Sequence, residues 1–250
     1  MLQWLSKKLG LSGTSSVAPT AKPPEAPAAG THGAGLATIE DVLTVNSGSP
    51  RSSGLHDAVL AGWFNEDTGQ LFEGFPICAQ DVVLDVGCGE GSVTLFSAKQ
   101  GAHVVFSDVE RDKVEQLAAR VAKTPARKQE ALVCDTTPLP LADNYASRVI
   151  AQEMLEHTEH PLEILQELHR VGKPGALYLL TVPDPVAEKL QQGFAPEQYF
   201  QAPNHIQIFE REEFGKLVED AGLEIVHRAP HSFYWSMWML FYWVTEDAQG

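Results

Sequence analysis

The chain has 250 residues, with 18 Lys and Arg against 33 Asp and Glu, a formal charge of −15. Hydrophobic residues make up 44%, enough for a packed core and too many for a wholly disordered chain, while the negative charge repels phosphate backbones and speaks against non-specific binding to nucleic acid. Cys78, Cys88 and Cys134 form no close-spaced pair, which argues against a disulfide framework or structural zinc and makes a reducing, cytoplasmic interior the expected setting.

Met1 to Leu9 places its two lysines after the apolar residues and lacks the apolar core of a secretory signal. Leu2, Leu5 and Leu9 share a helical face beside Trp4, so the segment reads as a frayed end or a short amphipathic helix capable of weak membrane contact. Between Ser12 and Gly35 all but four residues are Ala, Gly, Pro, Ser or Thr, a composition that cannot offset its own ordering entropy and reads as a flexible linker. Asn46 to Gly54 is rich in turn formers. Residues 1–50 are therefore expected to be an arm and linker whose first 35 residues are dispensable for cofactor affinity. Residues 51–250 are expected to form one domain, opening with a cap at 55–75 that carries Trp63 and Phe64.

From Asp81 the pattern becomes regular. Strands are expected at Val82–Val86, His103–Ser107, Glu130–Cys134, Ser147–Ala151, Ala176–Val182 and Leu223–His227. Helices are expected at Ser92–Gln100, Arg111–Lys123, Pro161–Val171 and Glu210–Ala221, the last ended by Gly222. The aromatic run at 233–245 is shorter than the roughly 20 residues of a membrane span and reads as a buried seventh strand. This alternation predicts an α/β fold with a doubly wound, mostly parallel sheet.

The first strand runs into Gly87-Cys88-Gly89-Glu90-Gly91, a turn whose backbone can approach a ligand without Cβ clashes. Its GxGxG spacing, with Ser92 next, is not the GxGxxG of a dinucleotide site. Asp85, just before the turn, would oppose a pyrophosphate but suits an ammonium group. Asp108 closes the second strand, where a carboxylate accepts from ribose hydroxyls, and Asp135 follows the third, where it can accept from an adenine amine. An ammonium-bearing amino acid, a ribose and an adenine together describe S-adenosylmethionine.

Leu84 to Gly91 resembles motif I of the class I S-adenosylmethionine-dependent methyltransferases, with an antiparallel seventh strand as their usual last element. Asp108, Cys134-Asp135-Thr136, Ala151 to His157, Leu165 to Gly175 and His205 to Phe209 with Glu213-Phe214 resemble later motifs of their small-molecule, type 11-like subgroup, in the same order. The resemblance implies that Gly87, Cys88 and Gly89 approach the methionine portion through backbone and that Asp85 helps hold its amino group. It implies that Asp108 binds the ribose with Val109 beside it, that Asp135 and Thr136 meet the adenine, and that Gln152 lies near the transferred methyl.

The implied reaction is methyl transfer from S-adenosylmethionine to O, N or C of a small molecule: a quinone precursor, a sugar or a lipid-linked acceptor. The alternatives are a nicotinamide-dependent oxidoreductase and a non-catalytic cofactor-binding protein. His157 and His205 are the candidate bases, whereas Glu153 and Glu156 read as solvated or structural. Glu156, His157 and His160 are close in sequence, but Pro161 begins a new helix between them and the next element, so no metal site is expected. Residues 184–204, with Phe194, Tyr199 and Phe200, read as a lid; Tyr234 and Trp235 are further candidates for the acceptor lining.

Overall fold

The computed structural model describes residues 2–8, 57–231 and 233–247; the Ser12–Gly35 linker, the loop at 46–54 and the domain boundary at 51 lie outside the described residues. In chain order the protein forms β1 (Leu2–Lys8), a hairpin of β2 (Gln70–Phe72) and β3 (Phe75–Pro76), β4 (Val82–Val86), α1 (Ser92–Lys99), β5 (His103–Asp108), α2 (Arg111–Val121) and β6 (Lys128–Val133). There follow β7 (Ala146–Gln152), α3 (Pro161–Val171), β8 (Gly172–Val182), α4 (Pro185–Gln191), α5 (Arg211–Asp220), β9 (Leu223–Pro230) and α6 (Phe233–Asp247).

The sheet is the seven-stranded, mostly parallel one expected, in the order β6-β5-β4-β7-β8-β1-β9. Val83, Leu84 and Val86 are all at most 1% exposed, because β4 is covered on both faces, as uninterrupted apolar strands require. On one face α1, α2 and the cap bury Phe96, Val114, Leu117, Trp63, Phe64 and Phe75. On the other, α3 and α5 bury Leu165, Leu168, Phe214 and Val218. Trp63 and Phe64 of the cap are thus core residues. Lys173, Pro174 and Gly175 lie inside β8 as a bulge: Ala146 pairs with Gly172 and Arg148 with Leu177, so two steps along β7 span five along β8.

Two expectations are overturned together. The antiparallel strand is the first in the chain, not the last: β1 pairs antiparallel with both β8 and β9. Trp4, Leu5 and Ser6 are buried, so the start of the chain is neither a frayed arm nor a membrane-contacting helix. Strand alternation sends Trp4 to the α3/α5 core and Leu5 to the opposite one. Lys8 Nζ then donates to Asn144 Oδ1 and to the carbonyls of His169 and Gly172, at 2.9, 3.1 and 3.0 Å, capping the end of α3.

With that slot filled, the aromatic run forms α6, a helix of 15 residues. Trp235, Trp238 and Tyr242 recur at helical spacing and stack in a row, with centroids 5.3 Å apart and planes within 8° and 16°. Its Phe, Tyr and Trp residues are of the kind enriched in strands, so composition does not distinguish the two; the stacked row at helical spacing does. No helix among the described residues is long and apolar enough to cross a membrane.

Candidate functional site

The chain turns back across the sheet between β4 and β7, and ligands of open α/β sheets bind outside the strand ends at such a switch point. The Gly87–Gly91 turn lies there. A Cβ on Gly91, whose φ is +78°, would come within 2.2 Å of Leu117 Cδ1, so only glycine lets α1 start against α2. Gly89, with φ +49°, has no protein atom within 4 Å of where its Cβ would sit, leaving its backbone accessible. The turn is laced to β5: Cys88 N–H donates to Ser107 O at 2.9 Å, and Gly89 N–H donates to Asp108 Oδ2 at 3.0 Å. The other Asp108 oxygen accepts from Glu110 N–H at 3.0 Å.

Asp85 is 4% exposed and accepts a 2.5 Å hydrogen bond from Thr94 Oγ1. Burial nevertheless pushes its carboxyl up to about 7, against the Thr94 bonds and with a smaller push from Asp108. No described cation forms an ion pair with it. A buried acid short of positive charge beside an open glycine backbone fits the ammonium of the methionine portion. Burial raises the Cys88 thiol well above its usual range, which keeps it neutral.

Val109 is 68% exposed at the tip of β5, a flat apolar surface beside Asp108. Beyond β6, Cys134 N–H donates to Asp108 O at 3.3 Å, which brings the next loop to the same edge. There Asp135 is exposed, Thr136 is buried, and Asp135 Oδ1 accepts from Thr136 N–H at 2.6 Å. Gln152 ends β7 opposite Thr181 of β8.

A second cluster lies past β7. His157 and His205, both expected as candidate bases, are brought together with ring centroids 5.0 Å apart. His205 Nδ1 lies 2.9 Å from Glu188 Oε2 of α4, and His157 Nδ1 lies 3.1 Å from the carbonyl of Pro203. Each partner only accepts, so each Nδ1 carries a proton and each Nε2 is left to hold a lone pair in the neutral ring. Burial, with the charge of His205 adding to it, holds the His157 pKa below its usual value. The backbone secures the pair, since Ile206 and Gln207 N–H both donate to Glu156 O, at 3.0 and 3.2 Å.

The acids here are buried rather than solvated. Glu156 is fully buried, and neither side-chain oxygen has a hydrogen-bond partner. Burial holds its carboxyl well above the usual range, with Glu153 adding to the effect. Glu153 has φ +49°, a costly conformation for a side chain with a Cβ and one that clusters at functional sites; burial raises its pKa too. Ligand atoms of Glu156, His157 and His205 lie within 4.8 Å of one another. That set could hold a divalent cation, with Glu188 orienting His205 from behind. His160, the third residue weighed from the sequence, instead faces Glu163 at 3.9 Å. Glu188 had no sequence signal: it comes from the 184–204 insertion, and only the folded chain sets it against His205. That insertion forms α4 and a 3₁₀ turn at Glu197–Phe200.

A family described as a methyltransferase domain matches residues 53–228. Methyltransferase GfsG of Streptomyces halstedii is 30% identical over 167 residues, which are 64% of this chain and 58% of that one; the chain spans little more than half the length of such curated relatives. Among solved structures, an S-adenosylmethionine-dependent methyltransferase from Aquifex aeolicus superposes with a TM-score of 0.50 at 23% identity, covering 70% of this chain and 88% of that one. The [4+2]-cyclase SpnF superposes at 0.52 and 19% identity, covering 84% and 69%. These two show the fold alone, in which different chemistries are housed. The family match carries the assignment: this chain belongs to the methyltransferase-domain family of class I, S-adenosylmethionine-dependent enzymes.

Proposed function

We propose that the protein transfers a methyl group from S-adenosylmethionine to O, N or C of a small molecule, a quinone precursor, a sugar or a lipid-linked compound being the acceptor classes in view. The observation that carries this reading is Asp85, a buried acid raised to about 7 beside the open glycine turn. In it Gly87, Cys88 and Gly89 flank the methionine portion, and Asp108 and Val109 meet the ribose and its base. Asp135 and Thr136 meet the adenine edge, and Gln152 lies near the sulfonium. The three free cysteines support a reducing, cytoplasmic setting. Residues 184–204 act as a lid that excludes water when substrates bind.

The sulfonium is already an activated electrophile, so the chain's task is to orient the two substrates and accept the acceptor's proton. His157 Nε2 is placed for that, its ring neutral near pH 7. Calorimetry with S-adenosylhomocysteine and with NAD tests the reading; heat from NAD alone would replace it with the oxidoreductase alternative. Asp108→Ala is expected to weaken S-adenosylhomocysteine binding about 10- to 100-fold, the range for hydrogen bonds to a charged group.

The Glu156 carboxyl, buried without a hydrogen-bond partner and with Oε1 3.9 Å from His157 Nε2, favours a second reading of the same cluster, in which a divalent cation takes the place of the base. The two separate cleanly. With His157 as base, activity resists chelators and falls as pH drops through a value below 6.5, because protonation removes the lone pair; His157→Ala abolishes that acid limb. With a cation, EDTA inactivates and added Mg²⁺ or Mn²⁺ restores.

A further inference from the structure

We propose that an apolar groove between α4 and α6 is the binding site for the hydrophobic chain of an amphiphilic acceptor, whose reactive head sits in the adjoining histidine pocket. The inference rests on the methyltransferase reading and gives its acceptor a chemical class: a polar, nucleophilic head on an alkyl or prenyl tail.

Two cavities meet at this end of the sheet. One, of about 370 Å³, has a mixed lining in which Glu153, Glu188, Tyr199 and His205 supply the polar groups and Trp235 and Met239 the apolar ones. The other, of about 390 Å³, is walled by Val186 and Leu190 of α4 and by Phe233, Met237 and Leu240 of α6. Asp184, Ala187 and Ser236 line both, so the two cavities adjoin. Each is in the size range of small-molecule sites.

The second cavity is apolar where solvent would favour charge. Val186, Leu190 and Phe233 are 58%, 56% and 69% exposed, and they stand on facing walls of one concavity rather than singly. The charges at its rim neutralise each other, Arg211 Nη2 lying 2.6 Å from Asp184 Oδ2. The Arg211 charge is thus already met at the rim, whereas the adjoining cavity supplies histidine and carboxyl groups for a head. A free tail is favoured over a flat partner because the exposed residues line one concavity, which adjoins the cavity that holds His205.

Tryptophan fluorescence of the full chain, saturated with S-adenosylhomocysteine, tests this with 4-ethyl-, 4-butyl- and 4-hexylphenol as probes. Affinity is expected to rise about threefold to fourfold per added methylene. Leu190→Asp should flatten that rise to less than twofold per methylene, and Leu190→Met should restore it. Affinity independent of chain length, or a rise that survives Leu190→Asp, overturns the proposal. So does a dimer in sedimentation, or flotation with phosphatidylcholine vesicles, that Leu190→Asp abolishes while chain dependence is absent: the groove would then seat a second copy or a bilayer. Failure of the underlying reading is separate. S-adenosylhomocysteine would give no heat in calorimetry while the chain-length dependence, repeated without it, persisted.

Discussion

Truncating Trp4 to Ala is expected to cost the fold about 3–5 kcal/mol and to lower the melting temperature by roughly 10 °C. Trp4 is 1% exposed. It meets Phe214 edge-on with centroids 5.4 Å apart and lies under the Arg228 guanidinium, 3.9 Å from the ring centroid. The loss is a large share of the 5–15 kcal/mol that holds a typical domain together. Gly215 of α5 shows that the site is fitted to the indole: a Cβ there would come within 2.9 Å of Trp4 Cη2. Gly215→Ala should therefore destabilise, although alanine is the better helix former, and the two changes should be less than additive because truncating Trp4 removes the indole and lets the Arg228 guanidinium, whose Nη2 would lie 2.6 Å from the same Cβ, move into the space it leaves. Additive losses in denaturant unfolding would show that β1 is not seated as described. For the same reason, removing residues 1–35 should abolish the folded state rather than spare cofactor affinity.

Replacing Asp85 by Asn should have opposite effects on stability and on binding. In the fold the carboxyl titrates near 7, against 3.8 for the free side chain. A raised acid disfavours folding once ionised, so its stability contribution is complete below about pH 4 and is lost as pH rises through 7. Three units correspond to about 4 kcal/mol. Asp85→Asn is accordingly expected to stabilise by roughly 2–4 kcal/mol at pH 8, with the gain shrinking toward zero near pH 4. In the proposed site the same change removes the charge assigned to the methionine ammonium, so S-adenosylhomocysteine should bind about 10- to 100-fold more weakly. In the unaltered protein, affinity should fall as pH drops below 7, by up to about tenfold per unit, as the carboxyl takes up its proton. Calorimetry at pH 6.5 in buffers of different ionisation enthalpy should register proton release on binding. Binding without proton release would leave Asp85 outside the ligand's reach.

The sequence carried the parallel half of the sheet well, because β4, β5 and β7 are short apolar runs ending in chemically distinctive residues: Gly87, Asp108 and Gln152. Each such strand signals itself locally. β1 does not. Its partners lie more than 160 residues away, and Leu-Gln-Trp-Leu-Ser-Lys-Lys matches a strand no better than a helix until both its faces are covered. α6 was misread for a related reason. An apolar run has no clear period in hydrophobicity, so only the spacing of Trp235, Trp238 and Tyr242 distinguished helix from strand. In the candidate site, His157 and His205 were visible as titratable groups, but their closeness and the buried acids around them depend on the path of the 184–204 insertion. Glu153 and Glu156 looked like surface charges because charged residues in loops usually are.

The position of β1 also bears on how the molecule is made. During synthesis β1 leaves the ribosome long before β8 and β9, the two strands it must join, which lie more than 160 residues further along the chain. Until both are made, the nascent chain carries an unplaced hydrophobic Trp4-Leu5 pair, and the gap in the sheet closes only by a contact spanning more than 160 residues, the kind of closure that slows folding and leaves sticky edges exposed to other chains meanwhile.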